Sequence, residues 1–373
     1  LASTTTAQLN ELVAACKACN PLDSISHEIT LGEFKGKMKA WRESTTTSPS
    51  GRHLGRYKAL FTAIPTSSDD SEEADTPFLQ KQEAIANIKL SVVNYCIRNT
   101  HVLERWKTVV NVMILKEPGN YKIHRLRVIH IYEADFNLIM AVKWRQLLHY
   151  ADKQNTINEG QYGGRPGCEA QSLTLLEELK YDISYLTRRS LFNFDNDATS
   201  CYDRIIVPLA SLINRKYGLH KKIVSVHAAT LQAAQFRLKT TAGVSDIFYS
   251  QCPQFPIHGT GQGSGNSPCI WLFISSTLFD THATQSHGAR FVSPDGKHQI
   301  SLSMVGFVDD STGSCNDFQP NTQVSLSTLF SRMENDAQLW NNLLYCSGGK
   351  LELPKCSFHV LHFEFDSNGR PRP

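Results

Sequence analysis

The sequence predicts an α+β fold, long helices together with short strands and a hairpin, on three observations. Residues 324–344 carry Leu326, Leu329, Phe330, Met333, Ala337, Trp340 and Leu344 at helical spacing, the stripe of a long amphipathic helix. Residues 304–313 run apolar into Asp309-Asp310 and leave through Ser311-Thr312-Gly313, which reads as strand, tight turn and strand. Residues 191–194 form a short apolar strand running into Asp195-Asn196-Asp197.

The remaining elements follow in order. Leu9, Leu12 and Val13 share one helical stripe, and Phe34, Met38 and Trp41 suggest a second helix. Residues 45–55 are a turn-rich basic loop. Residues 65–77 hold Asp69, Asp70, Glu72, Glu73 and Asp75 with almost no apolar residue, the composition of a surface loop. Helical spacing returns over 80–100 through Ile85, Ile88, Val92 and Cys96. Residues 106–116 are β-rich and end at Lys116; Pro118-Gly119-Asn120 turns the chain into a returning strand over 121–131 bearing Arg125 and Arg127. A helix follows over 135–150, then a glycine-rich loop from Gln161 to Gly167 and a helix over 170–187. Past Asp197 a helix spans 207–216, and residues 236–249 give short strand signals. Gly259 to Pro268 is rich in glycine, but no Lys-Ser or Lys-Thr closes it as a P-loop. The apolar helix over 269–279 comes next, and 350–365 reads as strands carrying Lys355.

Composition bounds the function. The 373 residues are 41% hydrophobic and 20% charged, ordinary for a globular chain with a sizeable core. No apolar run is long enough to span a bilayer, so no membrane partner is expected. The net charge of +3 does not by itself mark a nucleic-acid binder. Basic residues nevertheless cluster, at Lys35, Lys37, Lys39, Arg42, Arg52, Arg56 and Lys58, and again from Arg105 to Arg127; phosphate contact and a solvated face are both open. The ten cysteines are scattered, and the Cys16–Cys19 pair has no second pair to complete a zinc site. Reduced cysteines in an intracellular compartment are the expectation. The chain opens at Leu1 rather than Met, as an excised region would.

The two carboxylates of Asp309-Asp310 repel each other unless a cation neutralises them, and hard divalent ions take such oxygen ligands. A lone Asp-Asp is more often a solvated acidic turn, since turns are rich in Asp. The order of the motifs separates the readings. Asp197 follows a strand, with Tyr202 and Asp203 five and six residues later; Gln262-Gly263-Ser264-Gly265-Asn266-Ser267-Pro268 follows, and then Phe307-Val308-Asp309-Asp310. In this order the chain resembles the reverse transcriptase domain, nearest to that of non-LTR retrotransposons, over roughly residues 30–366. The Gln161–Gly167 stretch is similar to a fingers motif of that family, with Gly164 in place of the usual Phe, and the later palm segment of the family matches around Lys355.

The resemblance implies a right-hand polymerase: an N-terminal helical extension over 1–29, fingers over 30–190, a palm over 191–366 with an antiparallel sheet backed by helices, and a tail over 367–373, with no recognisable thumb. It implies Asp197, Asp309 and Asp310 as catalytic residues, holding two Mg²⁺ or Mn²⁺ ions with the backbone carbonyl of Ala198. Lys116 and Arg125, or Arg127 in place of Arg125, are implied to neutralise the incoming triphosphate. Tyr202 stands at the position of the ring that rejects a 2′-hydroxyl, Gln262 and Gly263 at the nucleotide, and Lys355 where the leaving group is protonated or neutralised. The implied partners are an RNA template, a DNA primer, deoxynucleoside triphosphates and the other domains of a larger retroelement polyprotein. A group II intron-type or RNA-templated RNA polymerase is the nearest enzyme alternative. A catalytically silent, retroelement-derived nucleic-acid-binding domain is the alternative of another class.

Overall fold

A computed structural model describes residues 2–17, 23–42, 48–52, 54–59, 72–252, 256, 258–317, 324–368 and 370–372. In chain order the helices are α1 (Ala2–Lys17), α2 (Leu31–Ala40), α3 (Leu54–Lys58), α4 (Glu72–Asn99), α5 (Glu104–Lys107), α6 (Ala134–Lys153), α7 (Ala170–Thr187), α8 (Cys201–Arg204), α9 (Val207–Lys216), α10 (Lys221–Gln232), α11 (Ser267–Gln285) and α12 (Leu326–Cys346). The strands are β1 (Thr108–Leu115), β2 (Leu126–Ile131), β3 (Leu191–Asp197), β4 (Gln235–Thr240), β5 (Gly243–Tyr249), β6 (Ala289–Val292), β7 (Gln299–Leu302), β8 (Met304–Phe307), β9 (Asp310–Asn316), β10 (Ser357–Leu361), β11 (Glu364–Phe365) and β12 (Pro371–Arg372). The fold is α+β, with largely antiparallel sheets backed by helices.

One packing unit comprises Leu1–Asn20, Leu148–Tyr217 and Pro268–Pro373. Its main sheet has the order β10-β3-β9-β8, every neighbour antiparallel. Alternation of side chains gives the sheet two chemically different faces. Phe192 and Phe194 of β3, Cys315 of β9 and Met304 of β8 make the apolar face. Helix α12 packs there: Phe330 meets the Phe192 ring edge-on at 5.2 Å, and Trp340 lies 5.4 Å from Phe279 of α11. Gly313 sits opposite Phe194 because a Cβ there would come within 1.9 Å of that ring.

The other face carries Asn193, Asp195 and Asp197 of β3 opposite Ser314, Thr312 and Asp310 of β9. Helix α7 covers its inner end, where the Lys180 ammonium donates to Ser314 Oγ at 2.6 Å and pairs with Glu177 at 2.7 Å. Burial lowers the pKa of Lys180, and Glu177 opposes the shift. The sheet therefore has an oily side that packs and a polar side left for chemistry.

The second unit comprises Pro21–Leu147 and Gly218–Ser267. Its sheet runs β2-β1-β4-β5, two antiparallel hairpins joined by a parallel β1–β4 pair. Val109, Asn111 and Phe236 turn one face into the core. Beyond them Trp106 of α5 contacts Phe136 of α6, and Phe136 stacks on His227 of α10.

Several expectations change. The surface loop expected over 65–77 lies outside the described residues up to 71, but from Glu72 the chain is already helical, with Pro77 inside α4. A lack of apolar residues excludes a buried helix face, not a solvated first turn. Lys355 sits in a 3₁₀ turn, Leu353–Lys355, rather than on a strand, because Pro354 has no amide to give a ladder. Arg125 likewise closes a 3₁₀ turn, its amide donating to the Lys122 carbonyl at 2.8 Å, and only Arg127 is on the returning strand. Within the loop expected over 45–55, Thr45, Thr46, Thr47 and His53 lie outside the described residues, as does Cys19. Among the described residues no helix is long and apolar enough to cross a membrane.

Candidate active site

Asp197 ends β3 and Asp310 opens β9, and the ladder sets them directly opposite each other. Opposed residues in such a ladder have α-carbons about 4.5–5.5 Å apart, so both carboxylates rise from one spot on the polar face. Asp309 shares with Val308 the two-residue link between β8 and β9, closed by the Phe307–Asp310 pair. Val308 has φ +60°, a region that β-branched residues avoid. Such strain persists where the surroundings over-determine it. Here the Trp271 indole donates to the Val308 carbonyl, and the Tyr162 and Gly163 amides donate to the Gly306 carbonyl at 2.9 and 3.4 Å. A Cβ on Gly163 would lie 2.2 Å from the Val308 nitrogen, so the backing segment can come this close only as glycine.

The chain after Asp197 is tied down on both sides. The Thr199 amide donates to the Lys350 carbonyl at 2.8 Å and the Glu352 amide to the Asp197 carbonyl at 2.9 Å. This bridge delivers the turn that bears Lys355, whose ammonium pairs with the Asp197 carboxylate. The Ala198 amide donates the other way, to the Asp309 carbonyl at 3.3 Å. In extended backbone a residue's N–H and C=O point to the same side, so the Ala198 carbonyl faces Asp309. A cavity of about 390 Å³ opens here, lined by Asp195, Asp197, Asp310, Thr312, Lys355 and Leu173 among others.

Charge dominates this corner. Burial, then Asp309 and Asp197, hold the Asp310 carboxyl above its ordinary pKa, with Lys355 opposing. The Lys355 ammonium is held higher by its hydrogen bond to Asp197 and by the charge of that carboxylate. Tyr202, on α8, has its phenol raised by burial first, then by Cys201 and Asp309. The neighbouring Cys201 thiol is pushed up to about 12 by burial and by Asp309.

Among the described residues no three Asp, Glu, His or Cys side chains converge closely enough to enclose a metal ion, and Lys355 stands as the cation beside Asp197. The donor set still fits a hard divalent ion in kind: three carboxylates and a carbonyl, all oxygen, with mutual repulsion that a cation relieves.

The second unit carries the other expected residues. Lys116 follows β1, Arg125 pairs with Glu117 at 3.2 Å, and Arg127 stands on β2 opposite Ile114. The Gln262 carbonyl accepts from the His130 amide at 2.7 Å. Gly263, at φ +116°, lies so close to β2 that a Cβ would come within 2.5 Å of the His130 carbonyl. Asn137 Oδ1 accepts from the Gly265 amide at 2.5 Å, which ties the loop to α6. Burial pushes the His130 imidazole down to about 4, so it is neutral under the loop.

No site expectation covered Asp195 or Thr312, yet Asp195 extends the acidic wall beside Asp197: Thr312 donates to it at 2.7 Å, and His359 lies 3.0 Å from the same carboxylate. The signal was present, because residues two apart on a strand share a face. No protein-family model matches the chain, and no curated protein matches it.

Proposed function

We propose that the chain is an RNA-directed DNA polymerase domain of a retroelement, built as the fingers and palm of a right-hand polymerase. The observation that carries this reading is the opposition of Asp197 and Asp310 across the ladder, with Asp309 at the adjoining turn. Together with the order of motifs in the sequence, it supports nucleotidyl transfer from a deoxynucleoside triphosphate to a primer 3′-hydroxyl on an RNA template. Asp197, Asp309, Asp310 and the Ala198 carbonyl would hold two Mg²⁺ or Mn²⁺ ions, which when bound stabilise negative charge on the attacking and leaving oxygens. Lys355 would neutralise the departing pyrophosphate or give it a proton. Tyr202 would lie under the sugar and favour deoxynucleotides. Lys116 and Arg125 or Arg127 would meet the polyphosphate, and Gln262 and Gly263 the nucleotide.

Primer extension tests the reading. A labelled DNA primer on an RNA template, with Mg²⁺ and deoxynucleotides, should be lengthened by the protein, and Asp309→Asn should slow extension by about 10²-fold or more. Equal synthesis by the variant defeats the mechanism. Absence of synthesis in both, with RNA binding retained, favours the catalytically silent domain.

A further inference from the structure

The helices of the second unit enclose a cavity of about 210 Å³ that none of the expected site residues lines. Its lining is of two kinds. Phe34 of α2, Tyr57 of α3 and Ile88, Val92 and Val93 of α4 are apolar in whole or in body. Arg52, Lys89 of α4 and Arg105 of α5 bring three cations, against one acid in the lining, Asp135 of α6.

The acids at this place are already committed. Asp135 pairs with Arg105 and accepts from the Trp106 indole at 2.8 Å and the Phe136 amide at 3.0 Å. Glu133, fully buried, accepts from the Ser50 hydroxyl at 2.7 Å and stands 3.9 Å from Arg105. Arg105 is thereby neutralised. Arg52 and Lys89 are left over, since among the described residues neither pairs with a carboxylate, and the Lys89 ammonium instead sits 4.8 Å from the centre of the Tyr57 ring. Burial, then the charge of Arg52, lower the pKa of Lys89, with Asp135 opposing. Two like charges so placed repel each other, and an anion that meets both relieves the repulsion.

The occupant has to bring negative charge for two cations and an apolar body for the rest of the lining. Phosphate sites commonly use free backbone amides at a helix start. At the start of α6, which adjoins this cavity, amides are already taken: Ala134 donates to Ser48 Oγ at 3.0 Å, Phe136 to Asp135, and Asn137 to the Glu133 carbonyl at 2.9 Å. Size narrows the choice further. A cavity of roughly 150 Å³ holds benzene, whereas sites for drug-sized molecules run from about 300 to 1,000 Å³. The space here therefore suits one ring with a short acidic tail and is too small for a whole nucleotide. We infer that this cavity binds a small monocarboxylate with an apolar ring or branched chain, its carboxylate on Arg52 and Lys89 and its body against Phe34, Val92 and Val93. The site lies within the second unit and does not depend on the polymerase reading.

Calorimetric titration of the full chain with phenylacetate, its neutral isostere phenylacetamide, acetate and phenyl phosphate decides the matter. Phenylacetate should bind saturably at one site. Phenylacetamide, which lacks the charge, and acetate, which lacks the body, should each bind about tenfold more weakly or worse. Lys89→Met keeps the apolar stem and should weaken phenylacetate about tenfold, as should Arg52→Gln at an exposed side chain. Ile88→Glu, at a side chain 65% exposed that the fold does not need, should set a competing carboxylate at the rim and weaken binding by a similar factor. Affinities within twofold of the parent chain for all three variants overturn the site, as does the lack of saturable binding up to about 10 mM. Acetate bound as tightly as phenylacetate overturns the role of the apolar lining, and phenyl phosphate bound more tightly overturns the carboxylate assignment.

Discussion

Lys355 separates a structural from a chemical role at the residue scale. Its ammonium pairs with Asp197, but the side chain is 66% exposed, where ion pairs are worth little. Lys355→Met should therefore change stability by less than about 1 kcal/mol. If the lysine serves the leaving group, the same variant should lose about 10²- to 10⁴-fold in extension rate. Thermal melting and single-nucleotide incorporation measured on one preparation separate the two. A melting drop that accounts for the lost activity would make the residue a strut. The identities and spacing of Asp197, Asp309, Asp310 and Lys355 were legible in the sequence, since the resemblance in motif order groups them as a set. Their contacts were not. The bridge from Asp197 and Thr199 to Lys350 and Glu352 joins segments far apart in the chain through backbone groups, which leave no mark on residue type.

Elements were legible where one periodicity ran long enough. The 3.6-residue stripe of α12 gave its bounds within a few residues, and the helices expected over 170–187 and 207–216 match α7 and α9, whereas no expectation covered α10 or the β6–β7 hairpin. Nor does residue type reveal that β1 and β4 run parallel, because pairing direction follows from how the intervening chain packs. Helix α10 carries a pH-dependent contribution that follows from this packing. Its His227 is stacked on Phe136, lies 5.0 Å from Trp144 and shares a hydrogen bond of 3.1 Å with Asn266. Burial alone pushes the imidazole down to about 4, against an ordinary value near 6.5. Between these values the unfolded chain binds more protons, so stability is complete above pH 6.5 and falls as the pH drops towards 4. The loss is at most roughly 3 kcal/mol for this group. His227→Gln, which keeps a polar partner for Asn266, should flatten the fall in melting temperature between pH 6.5 and 4. An unchanged profile would assign the acid sensitivity elsewhere, to His130 or to the buried His282, whose imidazoles burial also pushes down.

For the whole molecule, the decisive fact is that neither packing unit is continuous in sequence. The first is assembled from three segments and the second from two, with Pro268–Pro373 returning to the first. Strand β3 has both its neighbours, β9 and β10, in that last segment, and β1 takes β4 from residues beyond 217. A polypeptide ending at Tyr217 would thus keep β3 without a partner and reduce the other sheet to the β1–β2 hairpin. An isolated pair of strands is marginal in water, and a lone apolar strand such as residues 191–194 exposes Phe192 and Phe194, which the full chain buries. Residues 1–217 should show no cooperative thermal transition and no near-ultraviolet circular dichroism, while residues 1–373 should show both. A cooperative transition in the shorter chain would mean that the sheets are not what hold these units together. The same interleaving explains why a boundary at residue 190, drawn from motif order, does not coincide with the packing boundaries at 20, 147, 217 and 267. Motifs mark where chemistry is carried, whereas compact units are set by strand pairing between segments more than a hundred residues apart, so the two divisions need not agree.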